Sequence, residues 1–176
     1  VSELSAIDAP TRSLWVPLGV VYTLLTAAFG WGVLKSAAGN RKLRIAGALL
    51  VAYGISGLLW PIYPMHLRDV LAAGGASWSD TMHLALASFT VLLMILAMGC
   101  GAVAFGRSFR IYTIITILLL ATFGALTSAE AGAVEVNGPT PWIGVYERLN
   151  IAVFLMWIVV LAVMLWDATE ASANSG

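Results

Sequence analysis

The sequence predicts an all-α transmembrane helical bundle with five spans. Hydrophobic residues make up 60% of the 176 residues and charged residues only 10%, which leaves too little polar surface for a water-soluble globule. Five apolar stretches are each long enough to cross about 30 Å of hydrocarbon as a helix. Basic side chains also collect in alternate loops, as they do in proteins that cross a membrane repeatedly. Lipid is therefore the expected solvent for most of the chain.

The predicted spans are joined by short polar segments. They cover residues 14–34, 45–63, 82–105 and 111–129, and the fifth ends at Trp166. Thr140 and Pro141 suit the N-cap and the first position of the last helix, so that helix is expected to begin before its apolar part. Glu147 and Arg148 would then lie nearly two turns inside it, where charges are costly unless they are paired.

The charges in the loops predict the orientation. Six of the nine basic residues fall in the first and third loops, and the other side carries three basic residues with seven acidic ones. Because basic loops resist translocation, we expect these two loops and the carboxyl terminus in the cytoplasm and residue 1 outside a plasma membrane. The expected organisation is an outer amino-terminal segment (residues 1–13), a transmembrane domain (14–167) and a polar cytoplasmic tail (168–176).

The amino terminus and the composition limit what else is expected. The chain begins with Val1 and shows no signal peptide, so an outside amino terminus predicts a further transmembrane helix upstream. A formal net charge of zero argues against a nucleic-acid partner. The single cysteine, Cys100, excludes an intramolecular disulfide. The expected partners are the lipid bilayer and other membrane subunits.

Local patterns predict a short helix and close helix packing. Residues 67–73 can form an interfacial helix that ends at Gly74 and Gly75. Small residues recur every fourth position in two spans, and such stripes let helices approach closely or form a groove for a lipid chain or pigment. They are Ala48, Ala52 and Ser56 in the second span and Ala97 with Gly101 in the third.

Polar side chains that could carry a function gather at the predicted outer face. Asp80 and His83 are three residues apart, which places carboxylate and imidazole on one face of a helix. Near them along the predicted topology lie the other candidates: His66, Arg68, Glu130, Glu147 and Arg148.

Three interpretations of this cluster compete. In the first it is structural: Asp80 caps the third span, and Arg148 pairs with Asp80 or Glu130. In the second, His66, Asp80 and His83 hold a divalent metal that activates water for hydrolysis at the membrane surface. In the third, the cluster recognises an anionic headgroup, and Arg68 and Arg148 bind its phosphate or carboxylate.

Four motifs in order link the sequence to a known family. They are VSELSA at residues 1–6, PMHLR at 64–68, DTMH at 80–83, and PTPW at 139–142 leading to Glu147 and Arg148. Together they resemble the prokaryotic membrane-protein family termed domain of unknown function 998, over nearly the whole chain. The resemblance implies a six-helix bundle whose first helix precedes the VSELSA-like segment, and it implies no activity.

The expected function is therefore a broad one. We expect a non-enzymatic integral membrane protein that binds lipid or serves as an accessory subunit of a membrane assembly, with bound lipid as its ligand. The alternative is a metal-assisted hydrolase embedded in the membrane that acts on a lipid or lipid-linked substrate through His66, Asp80 and His83.

Overall fold

The computed structural model describes residues 2–173 and consists of α-helices joined by short connections. The helices are α1 (Arg12–Ser36), α2 (Arg41–Ser56), α3 (Arg68–Ala72), α4 (Trp78–Ala102), α5 (Arg107–Glu135) and α6 (Ile143–Ala173). Within the described residues there is no strand, and five helices are long and apolar enough to cross a membrane. They are α1, α4, α5, α6, and α2 together with the 3-10 turn Gly57–Leu59 that continues it. The predicted fold class and the five predicted spans are confirmed.

The bundle has two chemically different ends. α1, α4 and α6 run in one direction and α2 and α5 in the other, so the connections alternate between the ends. We call the end that carries His66 and His83 the histidine end. The opposite end, where α1 meets α2 and α4 meets α5, is the basic end. Both histidines lie at the same end, as the predicted topology requires.

Several helices extend beyond their apolar parts. α2 begins at Arg41 because the Asn40 side chain accepts hydrogen bonds from the amides of Lys42 and Leu43, both at 3.1 Å. α5 continues past residue 129 to Glu135, and α6 continues past Trp166 to Ala173. The apolar pattern measures only the part of a helix that needs hydrocarbon, so it underestimates these ends. The predicted ends of the second and third spans, at residues 63 and 105, are wrong, because α2 ends at Ser56 and α4 at Ala102. The first residues of the predicted polar tail are helical, and residues 174–176 lie outside the described chain.

The predicted start of the last helix is wrong. α6 begins at Ile143, with the amides of Val145 and Tyr146 bonded to the carbonyl of Trp142. Thr140 does not cap it, because its hydroxyl accepts a hydrogen bond from Arg68 instead. Glu147 therefore lies about one turn inside the helix, rather than nearly two.

α1 and α2 pack through glycines that differ from the predicted small-residue stripe. A Cβ on Gly54 would stand 2.6 Å from the backbone nitrogen of Ala27, and a Cβ on Gly47 would stand 2.9 Å from the carbonyl oxygen of Gly30. Only glycine permits so close an approach of two backbones. Ala48 and Ala52 are exposed, so close packing is wrong for these two members of the predicted stripe, and only its last member, Ser56, is buried.

α4, α5 and α6 pack around a buried tryptophan. Trp157 of α6 is fully buried, and its indole Nε1 donates to the Thr113 hydroxyl of α5 at 3.0 Å. A Cβ on Gly101 of α4 would meet the Trp157 ring at 2.8 Å, and Ala97 is also buried. The predicted pair of Ala97 and Gly101 therefore does lie at a helix contact. Asn150 of α6 donates to the carbonyl of Leu120 at 2.8 Å, which ties α6 to α5 again.

The connection between α2 and α4 covers the histidine end of the bundle. It contains α3, whose bounds agree with the predicted helix over residues 67–73 to within a residue at each end. Gly74 follows with φ +79°, a left-handed conformation that favours glycine and ends the helix.

Candidate functional site

Asp80 is the centre of the polar cluster at the histidine end. It occupies the third position of α4, where its carboxylate and the Ser77 side chain form a capping box. One oxygen, Oδ2, accepts from the amide and the hydroxyl of Ser77 at 2.8 and 2.9 Å. Asp80 is 5% exposed, and its carboxylate is enclosed by donors. It takes part in capping α4, as predicted, but from the third helical position, because the N-cap residue is Ser77.

His66 reaches the same carboxylate from the loop before α3. Its amide donates to Oδ1 of Asp80 and its ring nitrogen Nδ1 lies against Oδ2, both at 2.8 Å. Since the carboxylate already accepts from Ser77, the hydrogen of this ring contact sits on Nδ1. The side chain of His66 remains 23% exposed. The structure records no hydrogen-bond partner for Nε2 among residues 2–173, so the pair fixes the ring and leaves one nitrogen accessible.

His83 lies one turn further into α4 and is held differently. Its Nδ1 donates to the carbonyl oxygen of Tyr63 at 2.9 Å, and its ring contacts Trp60 edge to face at 4.6 Å between centroids. His83 is 4% exposed. The predicted proximity of Asp80 and His83 on one helix face is present, but each side chain has a partner in the loop instead of the other. His83 therefore anchors the connection after α2 to α4.

The loop that carries His66 is fixed along its length. The Ser79 hydroxyl donates to the carbonyl of Pro64 at 2.7 Å, and the amide of Ile7 donates to the carbonyl of Met65 at 2.8 Å. The amino-terminal segment thus lies directly against the PMH motif. These contacts fix the backbone before His66, and the hydrogen bond from Nδ1 to Asp80 orients its ring.

Arg68 joins three segments of this end. Its Nε lies 3.1 Å from a Glu3 carboxylate oxygen, and its Nη2 donates to the Thr140 hydroxyl. The predicted anion-binding role of Arg68 is therefore weakened, because Glu3 already neutralises the guanidinium. The ion pair connects the amino-terminal segment, α3 and the loop before α6.

Glu147, Arg148 and Glu130 complete the predicted cluster without forming the predicted pair. Arg148 donates through Nη1 to the carbonyl of Gly144 at 2.8 Å, and Glu147 accepts from the Ser2 hydroxyl at 3.0 Å. Within the described residues, the structure brings Arg148 into an ion pair with neither Glu130 nor Asp80. The Oε2 atom of Glu130 is buried and lacks a donor among these residues.

The proposed metal ligands do not converge on one point. In the part of the chain that the structure describes, no group of three or more His, Cys, Asp and Glu side chains is arranged to hold a metal ion. His66 and Asp80 meet through a hydrogen bond, and His83 turns its Nδ1 toward a carbonyl. The residues present therefore do not fit the divalent metal of the second interpretation.

Some partners at this end were missed by sequence reasoning. Ser77 three residues before Asp80 is a capping-box spacing, and this signal could have identified it. The Tyr63 carbonyl and the pairing of Glu3 with Arg68 have no local signal, because they join segments distant in sequence.

The fold and the cluster define the class of protein, and comparison with known sequences defines the family. Five apolar helices and a polar network confined to one end describe a polytopic α-helical membrane protein. The family model described as "Protein of unknown function (DUF998)" matches residues 1–164, and the chain belongs to this family. No curated protein and no solved structure matches the chain.

Proposed function

We propose that the protein is a non-enzymatic, lipid-binding membrane protein whose histidine end recognises the phosphate of a lipid headgroup. The observation that carries this proposal is the fixed imidazole of His66. Asp80 holds Nδ1 at 2.8 Å, and among residues 2–173 no protein group is hydrogen-bonded to Nε2. Because Nδ1 donates to Asp80, Nε2 can donate to a phosphate oxygen only when the ring is the imidazolium. A half-buried ring already oriented by a carboxylate then loses little conformational freedom on binding.

Arg148 is the cation of the proposed site. A guanidinium has five N–H donors, and Arg148 uses one of its groups on the Gly144 carbonyl of its own helix. Its side chain is exposed, and it lies one turn inside α6 at the histidine end. Arg68 has no place in the proposed site because Glu3 and Thr140 occupy its guanidinium. Arg148 and His66 would together supply the charged donors that a phosphate needs.

The surplus of acidic residues favours one class of headgroup. Seven acidic and three basic residues belong to this end of the sequence, so its net charge repels an anion. A zwitterionic headgroup combines a phosphate for the basic donors with an ammonium that the surrounding carboxylates attract. We therefore infer that a phosphoethanolamine headgroup is preferred over phosphoglycerol.

We propose that the histidine end faces outward across the plasma membrane and that α6 ends in the cytoplasm. Six of the nine basic residues flank the basic end, which supports a cytoplasmic location for its loops. Exposed tryptophans near the helix ends support headgroup layers at these levels, as with Trp78 at the histidine end and Trp166 at the basic end. An accessory role in a larger membrane assembly stays a prediction.

Binding of short-chain phosphatidylethanolamine to the purified protein in an uncharged detergent tests the headgroup site. His66→Asn keeps an amide donor near the position of Nδ1 and removes Nε2, and Arg148→Gln removes the cation. Each variant is expected to weaken binding on the order of tenfold, as loss of a charged hydrogen bond does. Lys42→Gln, which removes an exposed charge at the basic end, is the matched control and is expected to bind like the wild type.

The alternatives give different results in the same titration. Unchanged affinity in both His66→Asn and Arg148→Gln would overturn the headgroup site. Tighter binding of phosphatidylglycerol than of phosphatidylethanolamine would overturn the inferred preference for a zwitterion. Circular dichroism of each variant separates lost binding from lost folding.

A further inference from the structure

An amphipathic surface lies at the basic end, away from the histidine end. A shallow, open surface cavity of about 430 Å³ lies between α1 and α2. Its lining residues are Leu34 from α1 and Arg41, Arg44, Ile45 and Ala48 from α2. It therefore combines two guanidinium groups with apolar walls at the point where both helices reach the end of the bundle.

Along α2 the lining residues are first basic and then apolar, which matches the charged headgroup and the acyl chain of a phospholipid. Arg41 and Arg44 are three residues apart and share one helix face, and Ile45 and Ala48 continue that face by one further turn. This face of α2 thus changes from basic to apolar toward the interior of the span. Ile45 is 36% exposed and Ala48 is exposed, so the apolar part is open to a lipid chain.

The two arginines are not neutralised by the described part of the protein. Neither Arg41 nor Arg44 forms an ion pair within residues 2–173. Lys35 and Lys42 add further positive charge nearby, and the acidic residues of this end, Asp167 and Glu170, lie on α6, which packs mainly on α5. An exposed positive pair above an apolar groove is complementary to an anionic headgroup with its chain.

The backbone amides at the amino-terminal end of α2 contribute little to this site. The Asn40 side chain already accepts from the amides of Lys42 and Leu43, so these first donors of the helix are occupied. Anion binding here would depend on the guanidinium groups, which can hold phosphate oxygens in a bidentate manner.

We propose that this cavity is a binding site for one anionic glycerophospholipid. The lipid phosphate binds between Arg41 and Arg44, and the first part of an acyl chain lies on Leu34, Ile45 and Ala48. The site is independent of the headgroup site proposed above, because the two lie at opposite ends of the bundle and involve different residues. Its ligand carries a net negative charge, whereas the histidine end favours a zwitterion.

Native mass spectrometry of the full chain in uncharged detergent tests the proposal, with phosphatidylglycerol and phosphatidylcholine as probes. The wild type is expected to retain phosphatidylglycerol in preference. The double variant R41Q/R44Q is expected to weaken this binding at least about tenfold, since two charge-assisted contacts are lost. R107Q/R110Q is the matched control, because it removes two exposed arginines with the same spacing from the first turn of α5 at the same end. It is expected to bind within about twofold of the wild type.

A second variant tests the groove apart from the charge. Ala48→Phe keeps both arginines and fills the apolar part of the cavity with a larger side chain. Because position 48 is exposed, the variant is expected to weaken phosphatidylglycerol binding without unfolding the bundle. Equal losses in R41Q/R44Q and R107Q/R110Q would overturn the proposal in favour of diffuse attraction by the basic end. Displacement of the lipid by inorganic phosphate at matched concentration would overturn the assignment of a lipid. Unchanged retention of phosphatidylglycerol in R41Q/R44Q would overturn the site itself.

Discussion

His66 and Asp80 are joined by two hydrogen bonds, from the amide and from the ring of His66, although they belong to different segments of the chain. The amide bond fixes the backbone of the loop, and the ring bond fixes the side chain. Because Ser77 donates to the same carboxylate, Asp80 closes the capping box of α4 and anchors the loop at once. One buried carboxylate therefore holds both the start of α4 and the loop before α3.

Replacing Asp80 by Ala is expected to lower the free energy of unfolding by about 2–4 kcal/mol, from a lost helix cap and unsatisfied donors on His66 and Ser77. Thermal unfolding of purified protein in detergent measures the change. Asp69→Ala is the control, because Asp69 is an exposed acid in the short helix α3. It is expected to change stability by less than about 0.5 kcal/mol. Equal stability of the two variants would contradict the anchoring role of Asp80.

The contact between α1 and α2 gives a second prediction. Gly54→Ala places a Cβ 2.6 Å from the backbone nitrogen of Ala27, so the two helices must separate. The expected loss is about 1–3 kcal/mol, as for other overpacked helix contacts. Gly19→Ala in α1 is the control, since a Cβ there meets nothing within 4 Å. A neutral Gly54→Ala in the same thermal assay would show that α1 and α2 do not approach this closely.

The apolar pattern of the sequence was sufficient to predict the spans but insufficient to predict their faces. In a membrane, the residues that face lipid and the residues that face another helix are both apolar. The sequence therefore does not show which face of a helix makes the contact. Ala48 and Ala52 formed a regular small-residue stripe and are nevertheless exposed. The contact instead uses Gly47 and Gly54, whose partners on α1 no local pattern identifies.

The sequence predicted which residues form the polar cluster, but it predicted their hydrogen-bond partners only in part. Topology placed His66, Asp80 and His83 at one end, and helix periodicity placed the last two on one face. The choice of partner depends on the loop before α3, whose path is fixed by Ser79 and Ile7. Tertiary contacts of this kind join residues far apart in sequence, so spacing alone cannot predict them.

A third prediction concerns the buried hydrogen bond from Trp157 to Thr113, which is 3.0 Å long and joins α6 to α5. A double-mutant cycle with Trp157→Phe and Thr113→Val measures its contribution. The expected coupling energy is about 0.5–1.7 kcal/mol, the range found for hydrogen bonds between membrane helices. Thr116→Val replaces Thr113→Val in the control cycle, because the Thr116 hydroxyl donates to the carbonyl of Tyr112 within its own helix. Coupling of the same size in both cycles would contradict a direct bond.

The orientation gives a fourth prediction, which single cysteines can test in intact cells. In a Cys100→Ser background, Ala76→Cys places a thiol in the exposed loop before α4, at the histidine end. Ser108→Cys places one at an exposed position in the first turn of α5, at the basic end. If basic loops stay in the cytoplasm, a membrane-impermeant maleimide labels the first thiol and not the second until the cells are opened.

Both variants must react fully after the membrane is permeabilised, which controls for thiol accessibility. Labelling of Ser108→Cys alone in intact cells would reverse the proposed orientation and move the phosphate site of His66 and Arg148 to the cytoplasmic leaflet. It would also place the Arg41 and Arg44 cavity on the outer leaflet. Labelling of both thiols in sealed cells would contradict the placement of the two ends on opposite sides of the membrane, because α4 alone separates the two positions along the chain.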